Sequence, residues 1–245
     1  MKVVLFCGGL GMRIRNAPDD GLPKPLVTIG SRPILWHVMR YYAHFGHTEF
    51  VLCLGHGGDA IRAYVRDNPE LGAWRITLAD TGERSSIGER FFQSRRYVGD
   101  DEIFLANYAD GLTDLHLPDL IGAMTASDKV GAFLCIKPSL SYHFVRTRED
   151  GTVIAVEPAE RIELRVNGGY FVFRRAIFDY LRAGEDLVGE TFARLVNIGG
   201  LLGYRYDGFW KNMDTFKDKL ALDDLHAGGA APWMVWRAGA RAGGD

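Results

Sequence analysis

The chain has 245 residues, of which 47% are hydrophobic and 24% charged, and this composition excludes a disordered, collagenous or coiled-coil protein. Its 29 lysines and arginines nearly balance 31 aspartates and glutamates, so no global positive field would attract nucleic acid or an anionic membrane. The apolar runs are much shorter than the roughly 20 residues that span a bilayer.

Short runs rich in β-branched and aromatic residues alternate with amphipathic stretches along the chain. The pattern predicts strands at residues 2–7, 50–54, 74–79, 103–108, 130–136, 153–156, 169–173 and 201–206. It predicts helices at residues 33–45, 59–65, 88–97, 117–126, 175–182, 190–197 and 215–226. Because strand and helix alternate through the first half, we expect an α/β fold with a Rossmann-like, mostly parallel sheet flanked by helices. Its ligands should lie beyond the C-terminal ends of the strands.

No linker, repeat or low-complexity tract divides the chain, so we expect one domain over residues 1–237. Within it, 1–137 form the main core and 138–174, where polar turns separate short strands, form a smaller β-rich lobe. Residues 175–237 complete the site, and the Ala- and Gly-rich residues 238–245 predict a flexible tail. Three cysteines, each within an apolar run, are typical of reduced thiols in a cytoplasmic protein.

A glycine-rich loop follows the first predicted strand, where an α/β protein binds phosphate. Residues 8–13 read Gly-Gly-Leu-Gly-Met-Arg, and glycines let the backbone approach an anion closely. The spacing is neither the G-x-G-x-x-G of a dinucleotide site nor a P-loop, and the Pro-rich residues 16–25 that follow are incompatible with a helix. Arg13 and Lys24 add two cations that could converge on a polyphosphate. The alternative is an ordinary glycine turn with two solvated cations.

Two aspartates stand where an α/β site holds a metal. Asp110 follows the predicted strand 103–108, and Asp214 precedes the last predicted helix. A carboxylate at a strand end, facing a triphosphate, is a usual ligand of Mg²⁺. The alternatives are an Asx turn at Asp110 and a helix N-cap at Asp214.

A series of short motifs resembles the sugar-1-phosphate nucleotidylyltransferases, in order from residue 1 to residue 236. The motifs are FCGGLGMR at 6–13, LPKPL at 22–26, PILWH at 33–37, DTG at 80–82 with Gly88, YADG at 108–111, NGGYF at 167–171 and GFWKNMDT at 208–215. Together with Ala-Pro-Trp at 231–233, they are most similar to those of glucose-1-phosphate cytidylyltransferases. The resemblance implies the nucleotide-diphospho-sugar transferase fold and a homo-oligomer. It also implies a reaction in which a nucleoside triphosphate and a sugar 1-phosphate give a nucleotide sugar and pyrophosphate, with Mg²⁺ as cofactor.

The resemblance also implies roles for individual residues. Arg13 and Lys24 are expected to be catalytic, and Asp110 and Asp214 to bind the metal. The expected nucleotide-binding residues are Cys7, Gly8, Gly9, Gly11, Met12, Thr81, Gly82 and Gly88. The expected sugar-phosphate-binding residues are Asn167, Gly168, Glu157, Glu190 and Arg165.

The sequence departs from this family pattern at several positions. Relatives carry Glu-Lys-Pro before the sugar lobe, and that lysine binds the sugar phosphate, whereas residues 156–158 here are Val-Glu-Pro. Arg146, Arg161 or Arg165 could replace the missing cation. Met12 stands where threonine is usual and Ala109 where glycine is usual, and the chain is shorter between residues 64 and 74.

Several functions remain open on the sequence alone. The leading hypothesis is transfer from CTP to glucose 1-phosphate, and UTP, dTTP or a modified sugar 1-phosphate are alternatives. The missing lysine leaves a non-catalytic nucleotide-sugar-binding regulatory subunit as a further alternative. A nicotinamide-dependent oxidoreductase is disfavoured by the loop spacing.

Overall fold

The computed structural model describes residues 1–9, 21–138, 143–158, 161 and 163–240, the last three of these by their backbone only. Its strands are β1 Lys2–Phe6, β2 Thr28–Ile29, β3 Arg32–Pro33, β4 Glu49–Leu54, β5 Arg75–Asp80, β6 Ile103–Tyr108, β7 Gly111–Thr113, β8 Gly131–Ile136, β9 His143–Thr147, β10 Val153–Pro158, β11 Val166–Asn167, β12 Phe171–Arg174, β13 Leu201–Tyr206 and β14 Trp210–Asn212. Its α-helices are α1 Ile34–His44, α2 Gly58–Asp67, α3 Ile87–Val98, α4 Leu117–Thr125, α5 Ile177–Tyr180, α6 Phe192–Asn197 and α7 Phe216–Ala227.

The central sheet is mixed but mostly parallel, as the alternation of strands and helices predicts. Its order is β13-β8-β12-β6-β1-β4-β5, and β11 pairs with β8 next to β12. β5, β4, β1 and β6 run parallel to one another, and β13 runs parallel to β8. β12 lies antiparallel to β6 and β8. The C-terminal ends of the parallel strands therefore share one edge of the sheet.

The central strands carry apolar side chains on both faces, so helices cover both faces of the sheet. Val3 and Leu5 of β1 enter one core, which includes the apolar side of α1. Val4 and Phe6 enter the other core, where Phe91 of α3 packs. With both faces buried, the edge beyond the strand ends is left for ligands. None of the helices in the described ranges is long and apolar enough to cross a membrane.

The part of residues 138–174 that stands apart from the main sheet is smaller than the predicted lobe. β9 and β10 form their own two-stranded antiparallel ribbon. β11 and β12, from the same predicted lobe, are hydrogen-bonded into the central sheet. The sequence marks the turns between these strands but not the sheet that each strand joins.

Some predicted helices have different limits in the structure. The predicted helix 190–197 begins earlier, as a π-helix at Leu187–Thr191, because the Asp186 side chain accepts hydrogen bonds from the Val188 and Gly189 amides. The Pro-rich segment predicted to exclude a helix ends in a 3₁₀ turn at Lys24–Leu26, where proline is tolerated near the helix start. A 3₁₀-helix at Val235–Ala240 extends into the predicted flexible tail, and residues 241–245 lie outside the described residues.

Candidate active site

A short antiparallel ribbon brings the two predicted metal-binding aspartates together. β14 pairs with β7 so that Asn212 lies opposite Gly111. Asp110 directly precedes this pair, and the Met213 amide donates a hydrogen bond to its carbonyl oxygen at 2.9 Å. Asp214 comes next along the chain. The ribbon therefore joins the end of β6 to the segment before α7 and fixes the distance between the two carboxylates.

Lys24 lies between these carboxylates. Its Nζ is 2.5 Å from Asp110 Oδ2 and 2.5 Å from Asp214 Oδ1, and the Lys24 side chain is only 14% exposed. Burial alone would lower the pKa of Lys24, but the charges and hydrogen bonds of Asp110 and Asp214 outweigh burial and raise that pKa above its ordinary value. Asn212 Nδ2 donates to Asp214 Oδ2 at 2.7 Å and fixes the orientation of that carboxylate. The result is a charged centre in which one cation is shared by two anions.

The donor set of this centre suits a divalent cation. The two carboxylates already hold one positive charge between them, and the side chains of both aspartates are about a quarter exposed. In the described ranges, no group of three or more His, Cys, Asp or Glu side chains is arranged to hold a metal ion by itself. Mg²⁺ typically takes one or two protein carboxylates and completes its shell with water and phosphate oxygens. Asp110 and Asp214 provide that number.

The alternative of a helix cap at Asp214 is wrong. Thr215 is the N-cap of α7, and it forms a capping box with Asp218. The Asp218 side chain accepts from the Thr215 amide at 2.9 Å. Asp214 is therefore not needed to begin the helix.

The first part of the glycine loop follows β1 directly. Cys7 is buried, and its amide donates to the Cys53 carbonyl at 3.0 Å, so it anchors the loop to β4. Burial raises the pKa of the Cys7 thiol well above its usual range, which leaves the thiol neutral. Gly8 is buried and Gly9 is exposed. The predicted site residues Gly11, Met12 and Arg13 lie outside the described residues.

Arg90 of α3 was missed by the sequence reasoning. It is 2% exposed, and its guanidinium donates to the carbonyl oxygens of Leu54, Gly82 and Gly8 at 2.8, 2.8 and 2.9 Å. A Cβ added at Gly8 would lie 2.3 Å from this guanidinium. Arg90 therefore ties the glycine loop to the end of β4 and to the loop after β5. One sequence signal could have found it: Arg90 lies four and eight residues before Ser94 and Val98, on the buried face of α3.

Thr81 and Gly82 lie in the loop that Arg90 holds. The Thr81 hydroxyl donates to the Leu54 carbonyl at 2.7 Å and accepts from Arg90 at 2.9 Å, so its side chain points into the protein. Gly82 is exposed and has φ +89°, a conformation that favours glycine. This loop therefore presents backbone groups, rather than the Thr81 side chain, to a ligand.

Gly88, also predicted at the nucleotide site, lies at the contact between two segments. It is buried near the start of α3, and a Cβ there would lie 2.0 Å from the Glu185 carbonyl oxygen. Glycine is required because α3 packs directly against the backbone of residues 185–187. The contact joins the start of α3 to the segment just before Glu190.

Asn167, Gly168 and Glu190 are three of the predicted sugar-phosphate-binding residues. Asn167 ends β11 beside the Tyr108 hydroxyl. Burial raises the pKa of Tyr108 to about 12, and a hydrogen bond with the Asn167 side chain partly offsets that rise. The Gly168 carbonyl accepts from Trp210 Nε1 at 2.7 Å, which ties it to the β7–β14 ribbon. Glu190 Oε2 accepts from the Asp186 amide at 2.9 Å.

Glu157 and Arg165 lie apart from each other. Glu157 is on β10, where Arg146 Nη2 donates to both of its carboxylate oxygens at 3.2–3.3 Å. Arg146 therefore neutralises Glu157. Arg165 donates to the Cys135 carbonyl at 3.1 Å, at the far edge of the sheet. Arg146 thus contacts the β9–β10 ribbon, and Arg165 contacts the end of β8.

Known proteins are similar to this chain in fold and in sequence. HddC from Yersinia pseudotuberculosis superimposes with a TM-score of 0.71 over 92% of this chain and 99% of that one, at 17% identity. No protein-family model matches the chain. The glucose-1-phosphate cytidylyltransferase of Salmonella typhimurium is 31% identical over 257 residues, which cover 96% of this chain and all of the relative. A Bacillus subtilis protein with the name "Probable glucose-1-phosphate cytidylyltransferase" is 34% identical over the same shares.

The chain belongs to the glucose-1-phosphate cytidylyltransferase family. It is thus an enzyme of the sugar-1-phosphate nucleotidylyltransferase class, and the resemblance carried by the motifs is confirmed. The mannose-1-phosphate guanyltransferase of Candida albicans is more distant, at 25% identity over 90% of this chain. In this cytidylyltransferase-family chain, the motifs around Lys24, Asp110 and Asp214 converge on one charged centre.

Proposed function

We propose that this enzyme transfers a cytidylyl group from CTP to glucose 1-phosphate, giving CDP-glucose and pyrophosphate. The observation that carries the proposal is the centre formed by Lys24, Asp110 and Asp214 at the strand ends of an α/β sheet. The names of the relatives with 31–34% identity support the choice of CTP and glucose 1-phosphate.

The reaction needs no nucleophile from the protein. An oxygen of the sugar phosphate attacks the α-phosphorus of the triphosphate, and the bond from that phosphorus to the bridging oxygen of pyrophosphate breaks. The Lys24 ammonium contacts the phosphates and offsets negative charge in the transition state. Arg13, from the glycine loop, is proposed to neutralise the leaving pyrophosphate. Mg²⁺ held by Asp110 and Asp214 would supply further charge neutralisation.

The two ends of the substrate lie on opposite sides of this centre. We place the base beside the backbone groups of residues 81–82 and the glycine loop. Arg90 connects these two loops through hydrogen bonds to the carbonyl oxygens of Gly82 and Gly8. We place the sugar beside Asn167, Gly168 and Glu190. Glu157 and Arg165 are assigned to the outer part of the sugar side.

We further propose that the enzyme is a cytoplasmic homo-oligomer. The ribbon β9–β10 exposes Val145 and Val156, which are paired across the two strands and are 55% and 58% exposed. A two-stranded ribbon is only marginally stable alone, and a second subunit would cover its apolar face. Buried neutral thiols such as Cys7 suit a reducing compartment. Light scattering of the purified protein tests the oligomer, and a monomeric mass would reject it.

The proposed substrates are tested by pyrophosphate release with Mg²⁺ across CTP, UTP, dTTP, ATP and GTP, each with glucose 1-phosphate. Release with CTP well above the other triphosphates supports the proposal. Release with UTP or dTTP instead would keep the reaction and change the nucleotide. Nucleotide binding by calorimetry without release from any pair would favour a regulatory subunit.

A further inference from the structure

The segment between β11 and β12 contains a β-bulge. Both strands pair with β8, in the same antiparallel sense. The chain advances five residues from Asn167 to Val172, whereas β8 advances only three, from Cys135 to Ala132. The extra residues interrupt the ladder, and bulges of this kind commonly redirect side chains next to active sites.

Tyr170, within the bulge, has a backbone conformation that is rare for a tyrosine. Its φ is +51°, and no other non-glycine residue in the described ranges has a positive φ. The left-handed region is unfavourable for a residue with a bulky side chain, so it persists only where surrounding contacts impose it. Gly169, the residue before it, has a φ of +73°. Two consecutive left-handed residues therefore shape the bulge.

The Asn107 side chain holds this conformation. It is buried, and its Oδ1 accepts hydrogen bonds from the Tyr170 and Tyr108 amides, both at 2.9 Å. A Cβ added at Gly169 would lie 2.5 Å from the same oxygen, so the bulge packs directly against Asn107. Asn107 belongs to β6, three residues before Asp110. The bulge is therefore fixed to the strand that leads to the predicted metal-binding aspartate.

The Tyr170 side chain makes a second connection, to the residue after Asp110. Its hydroxyl donates to the Gly111 carbonyl at 2.9 Å. Its ring is buried against Tyr41 and Tyr42, with centroids 5.3 and 5.8 Å away. Gly111 begins β7, which pairs with β14 in the ribbon that brings the two aspartates together. The hydroxyl thus ties the bulge to that ribbon.

We propose that Tyr170 is a positioning residue that fixes Asp110 relative to the sugar 1-phosphate. The inference rests on the proposed nucleotidyl transfer, in which the sugar lies beside Asn167 and Gly168 and the metal at Asp110. An in-line attack requires the sugar phosphate and the metal-bound triphosphate to be aligned. Because Tyr170 is buried, it acts through its bonds to Asn107 and Gly111 rather than by contact with a substrate.

The test replaces Tyr170 by Phe, which keeps the ring and removes only the hydroxyl. Pyrophosphate release with Mg²⁺ and the triphosphate and sugar 1-phosphate that the enzyme uses gives kcat and both KM values. We expect kcat to fall by about tenfold or more, since a misplacement of about 1 Å can cost about 100-fold. The KM for the triphosphate should not change, because the loops proposed to bind the base keep their bonds to Arg90.

Tyr41→Phe is the matched control. Tyr41 is equally buried, and its hydroxyl also donates to a carbonyl oxygen, that of Leu115 at 2.7 Å, in the segment between β7 and α4. Both variants lose one buried hydrogen bond, so thermal unfolding should lower the Tm of both by similar amounts. Only Tyr170→Phe should lose kcat. An unchanged kcat in Tyr170→Phe, or an equal loss in both variants, would overturn the inference.

Binding of Mn²⁺, measured by calorimetry, is a second readout that needs no turnover. We expect Tyr170→Phe to bind Mn²⁺ about tenfold more weakly than the wild type, since groups that support a metal ligand typically change affinity by about 10–100-fold. Tyr41→Phe should bind it as the wild type does. Equal affinity in the three proteins, or no binding by any of them, would overturn the inference.

The two proposals fail in distinguishable ways. If the wild type releases no pyrophosphate with any pair of substrates, the proposed function fails by itself, and the Mn²⁺ affinities alone decide the role of Tyr170. If Tyr170→Phe does not fold, Gly169→Ala replaces it, because the added methyl group would push the bulge away from Asn107. The same loss of kcat and of Mn²⁺ affinity is expected for that variant, and wild-type values for both would reject the inference.

Discussion

At the scale of single residues, Lys24 is held between two carboxylates. It contacts two carboxylates from distant parts of the chain, and both contacts measure 2.5 Å. Without its charge, Asp110 and Asp214 would repel each other, and the substrate phosphates would meet a net negative surface. The Lys24 side chain thus makes a site rich in carboxylates compatible with an anionic substrate.

Replacing Lys24 by Met should abolish most activity and leave the fold intact. Loss of one charge-assisted contact to the transition state, worth about 1.5–3 kcal/mol, lowers the rate by about one to two decades. The measurement is steady-state pyrophosphate release, with circular dichroism as the check on folding. Lys219→Met is the control, because Lys219 is also largely buried and pairs with one aspartate, Asp223, but lies on α7 outside the site. Equal turnover in the two variants would remove Lys24 from the mechanism.

Replacing Arg90 by Met should lower both stability and nucleotide affinity. The change removes the Arg90 donor from the carbonyl oxygens of buried Gly8 and exposed Gly82, whereas the Leu54 carbonyl keeps its hydrogen bonds from Thr81. Leaving a buried carbonyl oxygen without any donor costs about 1–3 kcal/mol. We expect the free energy of unfolding to fall by about 3 kcal/mol and the KM for the triphosphate to rise. Urea denaturation and steady-state kinetics measure the two effects. Arg96→Met, an exposed position on the same helix, should change neither, and similar values for both variants would contradict the role of Arg90.

At the scale of elements, α3 packs closely on the backbone of residues 185–187 at Gly88. Gly88→Ala places a methyl group 2.0 Å from the Glu185 carbonyl oxygen, so the helix and the loop must separate. We expect a loss of at least about 1–3 kcal/mol, the usual cost of overpacking. Gly122→Ala in α4 is the matched control, since no atom lies within 4 Å of the added carbon and alanine favours the helix. Thermal unfolding should lower the Tm of the first variant only.

His37 of α1 should make stability depend on pH. Trp233 Nε1 donates to its Nδ1 at 3.3 Å, which leaves Nε2 to donate to the Ile29 carbonyl, and burial lowers the pKa of His37 to about 4. The unfolded chain takes up this proton near pH 6.5, so it binds more protons than the folded chain between about pH 6.5 and 4. The free energy of unfolding should therefore decrease as the pH falls through that range.

The pH effect is measured by denaturant titration at pH 7.5 and pH 5. His37→Gln removes the titrating group, so the decrease should be smaller in the variant by about 1–2 kcal/mol. His47, whose pKa is also lowered to about 4 by burial, is present in both proteins and cancels in the comparison. The same decrease in both proteins would contradict the assignment to His37.

The sequence predicts long elements well and short ones poorly. The strands at 103–108 and 201–206 have the limits that the pattern predicts, because six apolar or alternating residues give a clear period. β7 and β14 have only three residues each and were not predicted, although they bring Asp110 and Asp214 together. Arg90 was missed because a buried cation on a helix resembles a surface residue in the sequence alone. Its role depends on the carbonyl groups of Gly8, Leu54 and Gly82, which are distant in the sequence and come together only in the folded protein.

At the scale of the whole molecule, the order of strands decides which groups can share a substrate. Gly8 and residues 81–82 follow β1 and β5, Asp110 follows β6, and Asn167 ends β11, which pairs with β8. This order does not follow the chain, since β12 is inserted between β6 and β8. Local patterns therefore predict the strands, and the family motifs predict the charged centre. Neither predicts which strands become neighbours in the sheet.

The most direct test of the account is the formation of a nucleotide sugar by the purified chain. CTP, glucose 1-phosphate and Mg²⁺ are incubated with the enzyme, and the product is identified by mass alongside pyrophosphate release. We expect equal amounts of CDP-glucose and pyrophosphate, and we expect chelation of Mg²⁺ or the Asp214→Asn change to abolish both products. Undiminished product formation by folded Asp214→Asn, or in the presence of chelator, would contradict the central role of the Asp110–Asp214 centre.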